Sequence, residues 1–574
     1  MPNTEIKTFL TYKHLFSHIE KGGLLIPTSY LKDANNVNSL IDDLIKEFDN
    51  SEGVSYSSFL NAITQTYNAT ETEKFGLNEI TRAGLVKNKP NSGIVFHRDN
   101  LLYIIIKLIK KKSGDSNITG TGNNNNARDY YKALLLASEL IPNSSLEKDI
   151  FIKDYPYYYI PETTGHIYEI RLQRYWYIYN ELFKKTKQKK NHIQSGIQAI
   201  EKKSGISLKD YFRVVSLIYF WFLKIPDLKK VNSNKDLKKM GFDCKSRDTF
   251  YIRKNNFGND HELLKLVNHL AIDLKQFRKE FKTDKNRKST IKGFYENFQT
   301  LFDYPIFKID KDNHCIIDLK FLLDGLCSGF MWHINKFSKS GLQLFKGQYG
   351  DLLEFYFIEL LKKIFGSKNV EKPTTDGNPD AILETANYKI ILEFTTEYYL
   401  FTSIYNEKIS ELKDDLHRLL FNSGEKDPKA RGKKEKGKFL NLNQYIEKND
   451  DENKTVIPVL VTENYLGDVD LLDRFDNFIS NNINKKGLKN LQKYKPIILN
   501  LDDFEWFWQI ANTTDTVDQF AECIKKWESN TSNKGKYHFN FSFFCSNDST
   551  KTKVNSEFKN FFNFQKYMKN LKID

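Results

Sequence analysis

Three acidic residues stand where their carboxylates could serve one site. Glu354 lies in an apolar stretch of helical period, Asp380 opens a short apolar run, and Glu393 lies inside the run KIILEFT. A carboxylate within so apolar a segment is costly to bury without a partner, and a metal ion is the simplest one. Mg²⁺ prefers oxygen ligands and commonly takes one or two carboxylates with waters and phosphate oxygens. The three residues therefore indicate a Mg²⁺ site, in which Mn²⁺ could substitute, and hydrolysis of a phosphodiester bond.

A helix must carry the first of these carboxylates. Apolar residues between Leu352 and Ile364 recur at helical spacing, and Gly366 is a typical residue at a helix C-cap. Glu354 is thus predicted to lie beside a buried stripe of this helix.

A β-hairpin must carry the other two. The runs AIL and KIILEFT flank a short Thr-Ala-Asn turn, which predicts two antiparallel strands. Because side chains alternate along a strand, Ile391, Glu393 and Thr395 should share one face of the second strand. Asp380, at the start of the first strand, can then converge with Glu393 across the hairpin.

These residues resemble the PD-(D/E)XK nuclease superfamily, which has the restriction-endonuclease-like fold. Pro379 and Asp380 match the PD half of its motif, and Glu393 begins the second half. Glu354 matches the acidic residue that many members carry on the preceding helix. Thr395 stands where the superfamily usually has the lysine that positions or helps to deprotonate the attacking water. The resemblance implies catalytic roles for these positions, with Asp380, Glu393 and Glu354 as metal ligands.

The Glu-x-Thr variant is similar to the cleavage domains of some type IIS restriction and nicking endonucleases. Their strand leads into a helix with a further glutamate and a histidine, and this chain continues with Glu407, Lys408, Glu411 and His417. By this resemblance Glu407 is a candidate for an extra ligand, and Glu411 is a weaker one. Lys408 or a second metal would assist the water, and His417 would contact phosphate.

The sequence after the motif also follows this fold. The run VIPVLVTENY, a helical stretch near 470–479, the run KPIILNL and a further helix give the order strand, helix, strand, helix. The resemblance covers about residues 350–510. We therefore predict a multidomain α+β protein with a mainly helical N-terminal half and a C-terminal α/β domain around a mixed central sheet.

Composition bounds the partners and the compartment. The chain has 574 residues, a formal net charge of +14 and a pI near 9.0, which favours a polyanionic partner such as nucleic acid. Its five cysteines are scattered and contain no C-x-x-C, which is typical of a reducing compartment. The N-terminus lacks the apolar core of a signal peptide, and no stretch is apolar enough for a membrane span. A cytoplasmic protein without membrane contact is expected.

Four regions are predicted along the chain. Residues 1–112 form an N-terminal domain whose helices, basic turn and following strand are compatible with a winged helix that recognises DNA. Residues 113–128, rich in Gly and Asn, form a flexible linker. Residues 129–340 form a helical domain, and residues 341–574 form the nuclease domain.

Several basic residues are candidates for contact with nucleic acid. In the N-terminal domain these are Arg82, Lys87, Lys89 and Arg98, and in the lysine-rich insert between Phe421 and Phe439 they include Lys433 and Lys434. The insert could close over bound DNA or be a solvated surface segment.

The sequence thus predicts a Mg²⁺-dependent endonuclease that cleaves double-stranded DNA, of restriction or phage-defence type. Cleavage of both strands would require a homodimer, a partner subunit or a second event. A catalytically silent nucleic-acid-binding subunit with a nuclease fold is the alternative, because Thr395 replaces the motif lysine. A nuclease acting on RNA is a further alternative.

Overall fold

The computed structural model describes residues 10–21, 24–46, 48–66, 69–111, 124–140, 161–185, 192–224, 251–253, 261–281, 298–327, 329–337, 342–373, 378–396, 409–421, 437–449, 453–463, 478–512, 514–531, 541, 545 and 554–571. No helix among these residues has both the length and the apolar character needed to cross a membrane.

The helices before residue 340 are α1 (Tyr12–Leu15), α2 (Ala34–Leu44), α3 (Asn50–Thr66), α4 (Ala69–Arg82), α5 (Arg98–Lys110), α6 (Asn124–Leu140), α7 (Pro161–Tyr177), α8 (Phe183–Lys185), α9 (His192–Ser204), α10 (Leu208–Lys224), α11 (His261–Leu270), α12 (Leu274–Glu280), α13 (Phe298–Asp303), α14 (Leu319–Leu326) and α15 (Phe330–Phe337). The later helices are α16 (Leu342–Phe365), α17 (Ile409–Phe421), α18 (Lys438–Asn449), α19 (Lys489–Lys493), α20 (Leu501–Ile510), α21 (Thr516–Thr531), α22 (Ser556–Phe561) and α23 (Phe564–Asn570).

The strands are β1 (His18–Lys21), β2 (Leu24–Pro27), β3 (Tyr251–Arg253), β4 (Ala271–Ile272), β5 (Ile306–Lys308), β6 (Asn313–Ile316), β7 (Val370–Glu371), β8 (Ala381–Glu384), β9 (Tyr388–Thr395), β10 (Thr455–Thr462) and β11 (Ile497–Asn500). Within the described residues they form a two-stranded, a four-stranded and a five-stranded sheet. The chain is therefore a mixed α+β protein, as predicted.

The strand expected after the basic turn of the N-terminal region is not formed. Only Ile94 makes a bridge, and its carbonyl accepts a hydrogen bond from Leu10 N at 2.8 Å. Val95 and Phe96 are fully buried against Gly76 of α4, where an added Cβ would lie 3.1 Å from Val95 Cβ. The apolar run is thus buried by packing on a helix, and the described residues of this stretch lack the predicted wing.

Two further expectations for the first 340 residues need correction. Residues 124–128 of the predicted linker are helical, because α6 begins at Asn124, ahead of its apolar stripe. The region expected to be helical also contains the sheet with the order β3-β6-β5-β4. Its strands are two to four residues long, too short to show a period in the sequence.

The five-stranded sheet carries the predicted hairpin. Its order is β11-β10-β9-β8-β7, with β9, β10 and β11 parallel and with β8 antiparallel to β9 and β7. This is the mixed central sheet that the sequence predicted. Ala381 pairs with Leu392, so the preceding residue Asp380 lies opposite Glu393. Residues directly opposite on antiparallel strands point to the same face of the sheet.

Helices cover both faces of this sheet, which explains why every residue of β9 is buried. On one face Phe394 stacks on Phe357 of α16, with ring centroids 5.1 Å apart. On the other face Ile391 packs in a smaller apolar cluster with residues of α17 and α18. The alternation predicted for β9 is confirmed, and Glu393 lies on the same face as Ile391.

A buried ion-pair network, formed by Arg171, Arg174, Asp502 and Glu505, joins α7 to α20. Arg174 Nη2 lies 2.6 Å from Asp502 Oδ1, and its Nη1 lies 3.1 Å from Glu505 Oε2. Arg171 Nη2 lies 2.5 Å from Asp502 Oδ2. Burial opposes ionisation of Asp502, but the two arginines outweigh it and hold its pKa below the ordinary value. The network therefore links α7 to α20, which packs against β11 of the five-stranded sheet.

Glu505 gives the stability of the chain a pH dependence. Burial raises the pKa of its carboxyl group from 4.5 to about 7, against the attraction of Arg174 and with the charge of Asp502 adding to the rise. Between these pH values the folded chain keeps a proton that the unfolded chain has released, so raising the pH lowers the free energy of unfolding. We expect a loss on the order of 2 kcal/mol from this group between about pH 4.5 and 7.

Thermal unfolding measured across this pH range should fall less steeply for Glu505→Gln than for the wild type. Glu557→Gln, at an exposed position in the first turn of α22, should leave the slope unchanged. Parallel slopes for the wild type and Glu505→Gln would contradict the assignment.

Candidate active site

Asp380 is fixed at the open end of the hairpin. Its Oδ2 accepts a hydrogen bond from Phe394 N at 2.7 Å, which ties the residue before β8 to the backbone of β9. The side chain keeps 21% of its surface exposed. The carboxylate is therefore held in place while one side of it remains open to solvent.

Glu393 lies in the middle of β9 and is 1% exposed. Its Oε1 is buried and has no hydrogen-bond partner among the described residues. Burial, together with the nearby charge of Asp380, raises the pKa of Glu393 to about 7, although Lys438 opposes this rise. A buried carboxylate with an oxygen left over is the kind of group that a cation would stabilise.

The ammonium group of Lys438 lies against both carboxylates. Its Nζ is 2.9 Å from Glu393 Oε2 and 3.7 Å from Asp380 Oδ2. Asp380 and Glu393, called the acidic pair from here on, are thus both within reach of one small cation. Burial disfavours the charged ammonium, but the acidic pair outweighs this effect and raises the pKa of Lys438 above its ordinary value.

Helix α18 positions Lys438, which is its first residue. The next residue, Phe439, is fully buried with Leu442 and Ile446 against β9 and β10, so the start of the helix is anchored on the sheet. A cation at the N-terminus of a helix faces the positive end of the helix dipole. The acidic pair offsets this unfavourable position.

Sequence reasoning missed Lys438 as a site residue. It is the last lysine of the basic insert, and it reaches Glu393 across 45 positions of the chain. The available signal was its position directly before the apolar pattern FLNLNQYI, which the other lysines of the insert lack. Because Thr395 stands where a lysine is usual, a cationic side chain from another part of the chain was to be expected at the site.

Glu354 does not join the acidic pair. Its Oε1 accepts a bond from Lys372 Nζ at 2.7 Å, although the charge of Glu354 still contributes to the raised pKa of Lys438. No group of three or more His, Cys, Asp or Glu side chains suited to a metal occurs among the described residues. The predicted three-carboxylate site is therefore reduced to two carboxylates and a lysine.

A second buried carboxylate supports the end of β9. Glu463 N donates to Thr395 O at 3.2 Å, and Glu463 Oε1 accepts bonds from Tyr175 of α7 at 2.5 Å and Tyr349 of α16 at 2.6 Å. Thr395 itself is 5% exposed and lies two residues after Glu393 on the same face. Residues far apart in sequence thus fix the strand end that carries the candidate site.

The basic residues predicted in the N-terminal domain are exposed or have other partners. The exposed side chain of Arg82 pairs with Glu79, Lys89 binds Asn78, and Lys87 is exposed. Arg98 pairs with the buried Asp318 at 2.6 Å, so its guanidinium stabilises the fold.

His417 is the described candidate on the helix after the motif. Its ring lies 5.7 Å from that of Phe421 in α17. Burial, followed by the charge of Lys486, lowers its pKa. Glu407, Lys408, Lys433 and Lys434 lie outside the described residues, as does the side chain of Glu411.

The donors at the acidic pair fit a hard divalent cation. They are carboxylate oxygens, one of them solvent-accessible through Asp380 and one, Glu393 Oε1, buried without a donor among the described residues. Mg²⁺ needs only one or two such ligands because it keeps several waters. Compared with known proteins, the chain matches no family model, no curated protein and no solved structure. The resemblance to the PD-(D/E)XK superfamily therefore rests on the residues described above.

Proposed function

We propose that this chain is a Mg²⁺-dependent endonuclease that cleaves double-stranded DNA, of the restriction or phage-defence kind. The observation that supports this proposal best is the acidic pair on neighbouring strands, with the ammonium of Lys438 within 2.9 Å of Glu393 and 3.7 Å of Asp380. Two carboxylates can hold Mg²⁺, and a bound Mg²⁺ can promote hydrolysis of a phosphodiester bond.

Each group has a separate role in the proposed reaction. Asp380 and Glu393 would hold the cation, which would supply neutralisation of phosphate charge and activation of water. Phe394 N keeps Asp380 oriented towards Glu393. Glu354, paired with Lys372, contributes charge from the neighbouring helix and would reach the cation through water.

Lys438 replaces the motif lysine in charge but not in sequence position. Because the acidic pair raises its pKa, Lys438 is protonated at neutral pH in the metal-free chain. It can therefore donate hydrogen bonds to a water or a phosphate oxygen, and it cannot act as a general base in that state. The hydroxyl of Thr395 carries no charge and cannot fill this role.

The proposed partner is DNA, in a cytoplasmic compartment. The net charge of +14 favours a polyanion, since lysines and arginines near phosphates release counterions. One acidic pair cuts one strand at a time, so cleavage of both strands would need a second copy, a partner subunit or a second event.

The decisive experiment incubates the purified chain with supercoiled plasmid, with and without Mg²⁺, beside an RNA of similar length. We expect Mg²⁺-dependent nicking or linearisation of the plasmid. Cleavage of the RNA alone would transfer the proposal to an RNA substrate. Absence of cleavage with Mg²⁺ and with Mn²⁺ would reject the proposal that the chain is a nuclease.

A catalytically silent nucleic-acid-binding subunit is the second candidate. It is favoured by the salt bridge from Glu354 to Lys372, which leaves the site one carboxylate short of the expected three. Retained DNA binding without cleavage in either metal would support it.

Thr395→Ala tests whether the motif threonine has a chemical role. Thr395 is buried on the face of Glu393, but its contact with Glu463 uses the backbone carbonyl, which the substitution keeps. We expect the single-turnover rate of plasmid cleavage to fall about tenfold or less. Thr462→Ala, which alters the residue paired with Thr395 on β10, is the matched control for strand packing. A loss as large as that of Glu393→Gln would show that the threonine acts in the reaction.

A further inference from the structure

The ammonium of Lys438 stands where a divalent cation would be expected. It contacts Glu393 Oε2 at 2.9 Å and lies 3.7 Å from Asp380 Oδ2. The side chain of Glu393 is 2% exposed, so its charge is compensated from within the protein. When both carboxylates are ionised, one ammonium leaves one negative charge unbalanced, and a divalent cation would balance both.

The acidic pair, more than the helix, holds this ammonium in place. Phe439, Leu442 and Ile446 anchor the backbone of α18, but the Lys438 side chain keeps 29% of its surface exposed. Its position at the N-terminus of a 12-residue helix opposes the helix dipole. The flexible four-carbon stem of a lysine can turn towards solvent while the helix stays in place.

We propose that the Lys438 ammonium and a divalent cation of the Mg²⁺ or Mn²⁺ type bind the acidic pair in exchange for one another. Without metal, the ammonium neutralises the buried charge of Glu393. When the cation binds, the ammonium turns away and its charge becomes available to other anions. This inference rests on the proposed function of the same site. It adds that the exchange determines the affinity of the site for metal.

The exchange makes binding of metal and DNA cooperative. When DNA is bound, the displaced ammonium of Lys438 can pair with a phosphate group. DNA therefore lowers the free energy needed to move this ammonium away from the acidic pair. Because such coupling is reciprocal, metal should also strengthen DNA binding. The exchange therefore lowers the affinity of the free chain for the divalent cation. When DNA is present, this affinity is higher.

Calorimetric titration of the full chain with Mn²⁺, in the absence of DNA, tests the exchange. We expect Lys438→Gln to bind Mn²⁺ about tenfold or more tightly than the wild type, because a competing charge has been removed. Lys454→Gln is the matched control, since Lys454 pairs with Glu384 at the other end of the hairpin. It should bind like the wild type, and Glu393→Gln should bind weakly or not at all.

The outcomes separate the exchange from the proposed function. If Lys438→Gln binds Mn²⁺ no more tightly than a wild type that binds metal and cleaves plasmid, the exchange is wrong and the nuclease proposal stands. If no variant binds metal and the wild type cleaves nothing, both are rejected. If Lys438→Gln binds Mn²⁺ and binding by the wild type is too weak to measure, the result supports the exchange.

A second measurement needs no substitution at position 438. Acylation of lysines in the wild-type chain, mapped by mass spectrometry with and without saturating Mn²⁺, reports how accessible each ammonium is. Reactivity of Lys438 should rise severalfold with metal, while that of Lys454, which pairs with Glu384 at the other end of the hairpin, should not change. Equal reactivity of Lys438 in both conditions would overturn the exchange.

Discussion

Glu393→Gln is expected to slow plasmid cleavage in Mg²⁺ by about a thousandfold or more while leaving the affinity for DNA, measured without divalent metal, near that of the wild type. The amide keeps the shape of the side chain and one oxygen, but it removes the negative charge that would hold the cation. Because Glu393 is 1% exposed, the substitution changes almost none of the protein surface. Single-turnover cleavage and fluorescence anisotropy with labelled DNA measure the two effects separately.

The same hairpin offers the control for this substitution. Glu384 lies at the far end of β8 and pairs with Lys454, so Glu384→Gln should cleave at the wild-type rate. Asp380→Asn should lose cleavage as Glu393→Gln does, and it keeps an oxygen that can accept from Phe394 N, as alanine would not. Full cleavage by both acidic-pair variants would remove the basis of the proposed mechanism.

Arg174→Met is expected to destabilise the folded chain by about 3 kcal/mol or more at pH 8. Arg174 is fully buried and donates to Asp502 and Glu505, so the substitution leaves Glu505 without its ion pair. The loss should be smaller at pH 5, because burial raises the pKa of Glu505 to about 7 and the group then carries a proton. Urea unfolding at both pH values measures the difference.

An exposed ion pair provides the comparison. Arg82 pairs with Glu79 on the surface of α4, and 77% of its side chain is exposed. Arg82→Met should therefore change the free energy of unfolding by less than about 1 kcal/mol. An Arg174→Met variant as stable as Arg82→Met would show that the buried ion-pair network adds little to the fold.

The parts of the site that depend on local pattern could be predicted from the sequence. The turn and the alternation in KIILEFT placed Asp380 and Glu393 on one face, and the register of β8 with β9 agrees. The strands β10 and β11 and the part of α16 from Leu352 onwards followed from their apolar periods in the same way, whereas the start of α16 at Leu342 was not predicted. These features need only information from neighbouring residues.

The parts of the site that depend on contacts between residues distant in sequence could not be predicted. Lys438 reaches Glu393 from the start of a separate helix, and Tyr175 reaches Glu463 across 288 positions. Nothing in the pattern near Glu354 indicates that Lys372 takes its carboxylate. The run around Val95 looked like a strand because it is apolar, but tertiary packing on Gly76 is what buries it.

Helix α7 limits how the five-stranded sheet could be moved into another protein. Asp502 takes its charge-assisted bonds from Arg171 and Arg174, and Glu463 takes one of its two tyrosine bonds from Tyr175. A truncated chain starting at residue 341 would expose apolar surface and leave these acids in the interior with their donors gone. A chimera that joins the sheet to a domain of another protein would have to include α7 with the sheet.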